Sequence, residues 1–175
     1  MIAASLVYFG VKGFSPAKSA TSAPDKGGYF FVERAVDGDT LKLSDGQKVR
    51  LIGVDTPELH ESDKLARDAA RSRKDIAVIK GLGRKAADFT KALVQRKRVK
   101  LEYDVKKRDR YGRTLAYVYL EDGTFVNAKI IEEGYGQIMS IPPNVKYADY
   151  FLKLEREARE KGKGLWKADD FSALR

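Results

Sequence analysis

The 175-residue chain predicts an α+β domain, mainly a small closed β-barrel with helices packed against it. Three observations point there. Residues 36–58 read V-D-G-D-T-L-K-L-S-D-G-Q-K-V-R-L-I-G-V-D-T-P-E. Their apolar positions Leu41, Leu43, Val49, Leu51 and Val54 give the strand pattern on either side of Asp45-Gly46, a hairpin-turn dipeptide. Residues 98–105 and 114–120 form two further branched and aromatic runs, the second followed by Asp122-Gly123. Finally, no Gly-rich phosphate loop and no regular strand–helix alternation is present, which argues against a doubly wound sheet.

In chain order, residues 29–36 read as a first strand and the hairpin as the second and third. Residues 60–80 are densely charged, with Leu65, Ala66, Ala69, Ala70, Ile76, Ala77 and Ile79 near helical spacing. They read as an exposed helix and a loop, supported by the i,i+4 pairs Asp63–Arg67 and Arg71–Asp75. Gly81-Leu82-Gly83 is expected to break this helix. Residues 84–96 then form an amphipathic helix with Ala87, Phe89, Leu93 and Val94 inward. The strand at 98–105 puts Val99, Leu101, Tyr103 and Val105 on one face. A charged turn, K-K-R-D-R-Y-G-R, leads into the strand at 114–120. Asn127 is the expected N-cap of a short helix ending at Glu133 and closed by Gly134. The I-P-P-N run at 141–144 is a rigid loop. A charged helix at 147–161 stops at Gly162 and Gly164, and Leu165 and Trp166 pack back on the domain. Five strands, about three packed helices and an inserted charged helix fit the five-stranded oligonucleotide-binding (OB-fold) barrel.

Residues 1–14 are largely apolar and 15–28 are rich in Ser, Ala, Pro and Gly. Residues 1–28 thus read as a signal-like or anchor segment with a flexible linker, the competing reading being a disordered tail. The folded domain is expected over 29–175. On this reading the protein is secreted or held at the cell surface, with membrane association through its N-terminus.

A net charge of +9 favours a polyanionic partner, nucleic acid ahead of an anionic membrane. The absence of Cys excludes disulfides, thiol catalysis and Cys-based zinc sites. A single His, His60, disfavours a His-rich metal centre or a Ser-His-Asp triad. The chemistry must therefore use carboxylates, Arg, Lys and Tyr. The hairpin brings Asp39, at the start of one strand, close to Asp55, at the end of its partner. Two carboxylates meeting there suit a hard cation. Hydrolysis of a phosphodiester needs such a cation, positive donors for the developing charge and a group that activates water. Arg50 and Arg113 offer planar forks for phosphate oxygens. Glu58 is the candidate base. Singly, each residue has an ordinary structural reading. An Asp of D-G-D-T caps a turn, Arg50 is a surface charge or an ion-pair partner of Glu58, Arg113 decorates a hairpin, and Glu58 sits at a helix start. The ordered combination is what carries weight.

V-D-G-D-T, then R-L-I-G-V-D-T-P-E, then D-R-Y-G-R-T-L-A-Y-V-Y, with G-L-W near the end, resembles the thermonuclease (staphylococcal nuclease-like) family over about 29–166. The resemblance implies an OB-fold barrel and a calcium-dependent endonuclease acting on DNA and RNA, leaving 3′-phosphate and 5′-hydroxyl ends. By its motifs, Asp39 and Asp55 are calcium ligands and Thr56 adds a backbone carbonyl. Glu58 is the base or orients the water, and Arg50 and Arg113 stabilise the phosphate transition state. Tyr111 contacts the phosphate end of the nucleotide, and Asp37 holds the loop behind the ligands. No protein partner is implied and a monomer is expected.

Two departures stand out. The segment 59–89 is longer than in the type member by roughly a dozen residues, and its Arg67, Arg71, Arg73 and Lys74 are candidates to extend the electrostatic footprint over a bound strand. The family's base-packing tyrosines fall in I-M-S-I-P-P here, which contains none; Tyr135 and Tyr147 flank it. The rival functions are a non-catalytic barrel that holds single-stranded nucleic acid and a binder of anionic membranes. The joint presence of Arg50, Glu58 and Arg113 favours the enzyme.

Overall fold

The computed structural model describes residues 24–25, 27–60, 66, 69–70 and 75–167. Five strands close a barrel in the order β1 (Phe30–Ala35), β2 (Thr40–Leu43), β3 (Lys48–Leu51), β6 (Thr114–Leu120) and β5 (Arg98–Glu102). Neighbouring strands are antiparallel except β3 and β6, which run parallel. The period-two pattern sets the inside of the barrel. Val32, Leu41, Leu43, Val49, Leu51, Val99, Ala116 and Val118 are all buried. Each larger one contributes about 1.5–3 kcal/mol by leaving water. Thr40, Lys42, Lys48 and Arg50 alternate with these, and the last three lie on the outer face.

Among the described residues three full helices pack on the barrel: α1 (Ile76–Val94), α2 (Val126–Glu132) and α3 (Ala148–Glu160). α1 buries Ile79, Leu82, Gly83, Ala86, Thr90 and Val94, a stripe at spacings of three and four. This corrects the inward face read from the sequence: Ala86 and Thr90 are buried, whereas Ala87 is only half-buried. The expected break at Gly81-Leu82-Gly83 is also corrected, since α1 runs through both glycines. Gly83 is there for a close approach: a Cβ on it would lie 2.5 Å from the Glu58 carbonyl oxygen. Leu165 and Trp166 pack with Ile79, Leu82, Ala86 and Ala158 in a second apolar cluster.

Asn127 is not an N-cap. It lies inside α2, fully buried, with Phe125 at the cap position. Its Nδ2 donates to the Ile52 carbonyl at 2.8 Å and its Oδ1 accepts from the Val118 amide at 2.9 Å. A buried amide thus satisfies backbone groups of two different segments. The strand expected at 98–105 ends at Glu102, leaving Tyr103 and Val105 exposed. Asp104 there accepts from the Tyr117 hydroxyl and the Lys146 amide, which leads the chain off the barrel. A small second sheet pairs β4 (Gly53–Asp55) with β7 (Gln137–Met139). The helix and ion pairs expected within 60–75 fall largely outside the described residues, as do Arg67, Arg71, Arg73 and Lys74 and nearly all of 1–28. Among the described residues no helix is long and apolar enough to cross a membrane.

Candidate active site

The site forms where the β1–β2 loop meets the end of β3. Thr40 pairs with Arg50 across β2 and β3, so Asp39 lies one residue from the start of that register and Arg50 projects from the facing strand. Asp37 Oδ1 accepts from the Asp39 amide at 3.1 Å, an Asx turn that shapes the loop. Gly38 between them is required by space: a Cβ on it would lie 2.7 Å from the Thr56 side chain. The Gly38 carbonyl accepts from Thr90 Oγ1 at 2.8 Å, which fastens the loop to α1.

Asp39 is 6% exposed. Its Oδ2 accepts from the Thr56 amide at 3.2 Å and the Thr56 hydroxyl at 3.3 Å. The same oxygen lies 2.9 Å from Arg50 Nη1. Arg50 Nη2 lies 3.3 Å from Asp55 Oδ1, and Nη1 donates to the Val54 carbonyl at 2.6 Å. The ordinary reading of Arg50 as a partner of Glu58 thus gives way to pairs with Asp39 and Asp55. Burial and the neighbouring Asp39 charge push the Asp37 carboxyl up to about 7.

The structure therefore brings Asp37, Asp39, Arg50, Asp55 and Thr56 together. Two carboxylates converge on one cationic group, and the Thr56 peptide lies against the first of them. This all-oxygen donor set fits a hard divalent cation. Among the described residues no three His, Cys, Asp or Glu side chains gather as a ready metal cage. A backbone carbonyl and oxygens of water or substrate would have to complete the coordination.

Arg50 also lines a cavity of about 450 Å³, whose lining includes Tyr111 and Arg113. Arg113 is set by its own turn. Asp109 accepts from the Arg113 amide at 2.9 Å and from Arg113 Nε at 2.6 Å. Burial alone would raise the Asp109 carboxyl, but the Arg113 hydrogen bonds and charge outweigh it and hold the group below the usual carboxylate range. With Nε engaged, the two Nη groups remain to face a ligand. The Arg113 guanidinium lies 5.6 Å from the exposed Tyr111 ring. Glu58 is half-buried, and its backbone abuts Gly83 of α1. It is not among the residues lining the cavity.

Several lining residues were not singled out from the sequence. Lys106 and Arg110 belong to the charged turn, whose density of cations was the available signal. Met139, Ile141, Pro142 and Pro143 supply an apolar part of the lining. Asn144, buried, fastens this apolar run to the charged turn: its amide side chain exchanges two 2.8 Å hydrogen bonds with the Lys106 backbone. Tyr135 and Tyr147 are elsewhere. Tyr135 stacks on Phe89 and Tyr147 packs among Tyr117, Phe125 and Phe151.

A family model described as staphylococcal nuclease homologue matches residues 48–168. The chain is 38% identical over 164 residues to the thermonuclease of Staphylococcus intermedius, covering 92% of this chain and 89% of that protein. It is 36% identical over 154 residues to the thermonuclease of Staphylococcus hyicus, covering 86% and 83%. Endonuclease YncB of Bacillus subtilis is 36% identical over 140 residues, covering 77% and 60%. Together with the five-stranded barrel, these matches show that the chain belongs to the family of staphylococcal nuclease homologues.

Proposed function

We propose that the chain is a calcium-dependent endonuclease that hydrolyses phosphodiester bonds of DNA and RNA and leaves 3′-phosphate and 5′-hydroxyl ends. The observation that carries this is the convergence of Asp39 and Asp55 on Arg50 beside a cavity shared with Arg113. The nuclease names of the relatives support the reaction class. Asp39, Asp55 and the Thr56 carbonyl would hold the calcium ion, which supplies positive charge beside the scissile phosphate. Asp37 stiffens the loop that carries Asp39.

The remaining work falls to side chains. Glu58 takes the proton of the attacking water. Phosphorus gains a bond to that water oxygen and loses its bond to the 5′-oxygen, which takes a proton from solvent to become the 5′-hydroxyl, so the phosphate stays on the 3′ side. Charge builds on the non-bridging oxygens as this happens. Arg113 meets it with its Nη groups while Asp109 holds Nε, and Arg50, which lines the same cavity, would donate once a cation took up its carboxylate partners. Tyr111 flanks the phosphate end of the nucleotide. We place this activity in a monomer outside the cytoplasm, with 29–175 as the nuclease domain and 1–28 as export or anchor segment.

Glu58→Gln tests the assignment. Turnover should fall by orders of magnitude with DNA affinity largely kept, because a lost base acts on the chemical step. Equal turnover in variant and wild type would remove Glu58 from the mechanism. Binding without cutting by the wild type would favour the non-catalytic barrel.

A further inference from the structure

The outer face of the barrel carries a row of cations that leads to the site. Arg34 of β1 stands opposite Lys42 of β2, and Lys42 stands opposite Lys48 of β3. β3 and β6 pair in parallel with Val49 beside Thr114. Lys48 and Arg113 each precede those residues, so the row continues to Arg113. Thr114 Oγ1 donates to Gln47 at 3.1 Å, which fixes the two segments side by side. Strands lie about 4.8 Å apart, so the row spans about 14 Å.

Such a row is unfavourable by itself. Like charges directly opposite on a sheet face destabilise it. One acid relieves it: Glu33, at a bulge in β1, lies 2.9 Å from Lys42. Among the described residues neither Arg34 nor Lys48 has an ion-pair partner. A row of cations kept side by side at a cost in folding, and ending on a phosphate-facing arginine, is what a polyanionic chain would use.

We propose that Arg34, Lys42 and Lys48 form a track for the phosphates of the single strand flanking the cleaved bond. The proposal rests on the nuclease reading of Arg113. The strand leaves the cavity at Arg113 and crosses β3, β2 and β1 in turn, a path within the several nucleotides that a barrel of this kind covers. The contacts are to phosphate, so they add affinity and salt dependence without base preference.

The test is the variant Arg34→Gln/Lys42→Gln/Lys48→Gln in the full chain. Binding of a single-stranded 20-mer of mixed sequence is titrated in chelator, so that nothing is cut. Each lost phosphate contact lowers the salt slope by about 0.7, so three should lower it by about 2. Between 50 and 200 mM salt the wild type should then weaken about 15-fold more than the variant. With calcium, KM should rise for the 20-mer, and the defect should shrink on a dinucleotide. The variant's Tm should stay close to that of the wild type, since losing the Lys42–Glu33 pair is offset by removing the like-charge pairs. An unchanged salt slope overturns the track. So does a slope change accompanied by a lower Tm, which would make the row structural, or a loss confined to binding of anionic lipid vesicles. Failure of the nuclease reading shows separately, as no cutting of either substrate by the wild type.

Discussion

Gly81 and Gly83 lie two residues apart in the same helix and should respond oppositely to the same substitution. Gly81 has nothing within 4 Å of an added Cβ, whereas at Gly83 the Cβ would meet the Glu58 carbonyl oxygen at 2.5 Å and carbon at 2.6 Å. Gly→Ala in a helix interior contributes about 1 kcal/mol. Gly81→Ala should collect that gain, seen as a Tm rise of about 2–4 °C, with unchanged activity. Gly83→Ala has the same propensity gain but meets backbone, which no rotamer change relieves. Overpacking of this kind costs about 1–3 kcal/mol, so the net loss is about 0–2 kcal/mol. Restoring ordinary contact at 3.4 Å needs a shift of about 0.9 Å between α1 and the Glu58–Leu59 peptide. If Glu58 is the base proposed above, a displacement of that size should cost about 100-fold in rate. Thermal melts and single-turnover cleavage of a single-stranded substrate measure both effects. Full turnover in Gly83→Ala, with its Tm at or below that of the wild type, would refute the claim that this contact positions Glu58.

Other expectations follow from the same geometry. Asn127→Ala leaves the Ile52 carbonyl and Val118 amide without their buried partner, so urea unfolding should show a loss of at least about 2 kcal/mol; a loss under about 0.5 kcal/mol would contradict the bonding described. Arg113→Ala should lower kcat by about 100- to 1,000-fold, as for other lost transition-state donors, and intact turnover would make Arg113 a bystander. Asp39→Ala should abolish or sharply weaken calcium binding in a calorimetric titration, and an unchanged isotherm would move the metal site elsewhere. Asp109 is held below its usual value of 3.8, so its folded state binds fewer protons than the unfolded chain just below pH 4. Its contribution is present above that pH and lost as pH falls through the lowered value. The stability gap between wild type and Asp109→Asn should therefore narrow below about pH 4, and a gap that widens on acidification would reverse the assignment.

The barrel was legible because period-two burial is written locally: Leu41, Leu43, Val49 and Leu51 announce both their strands and their inward face. The approach of Asp39 to Asp55 was expected from the hairpin alone, but β3 ends at Leu51 and Asp55 closes β4, which pairs with β7; the two carboxylates meet through Arg50. What escaped depends on partners distant in sequence. β4 is three residues long and is defined by pairing with β7, more than 80 residues later. Asn127 has the local signature of a cap, yet its role is set by the Ile52 carbonyl, 75 residues away. Gly81-Leu82-Gly83 reads as a helix break because nothing nearby reveals that the Glu58 backbone will press against Gly83. The apolar run of Met139, Ile141, Pro142 and Pro143 likewise joins the cavity lining only when Asn144 fastens it to Lys106.

The most direct test is digestion of denatured DNA by the purified protein, with calcium and then with excess chelator, beside Glu58→Gln. Rapid calcium-dependent cutting by the wild type, lost in chelator and reduced by orders of magnitude in the variant, is the result expected from Asp39, Asp55 and Glu58 acting at one site. Binding of DNA without cutting at any calcium concentration, or cutting that persists in chelator, would contradict it.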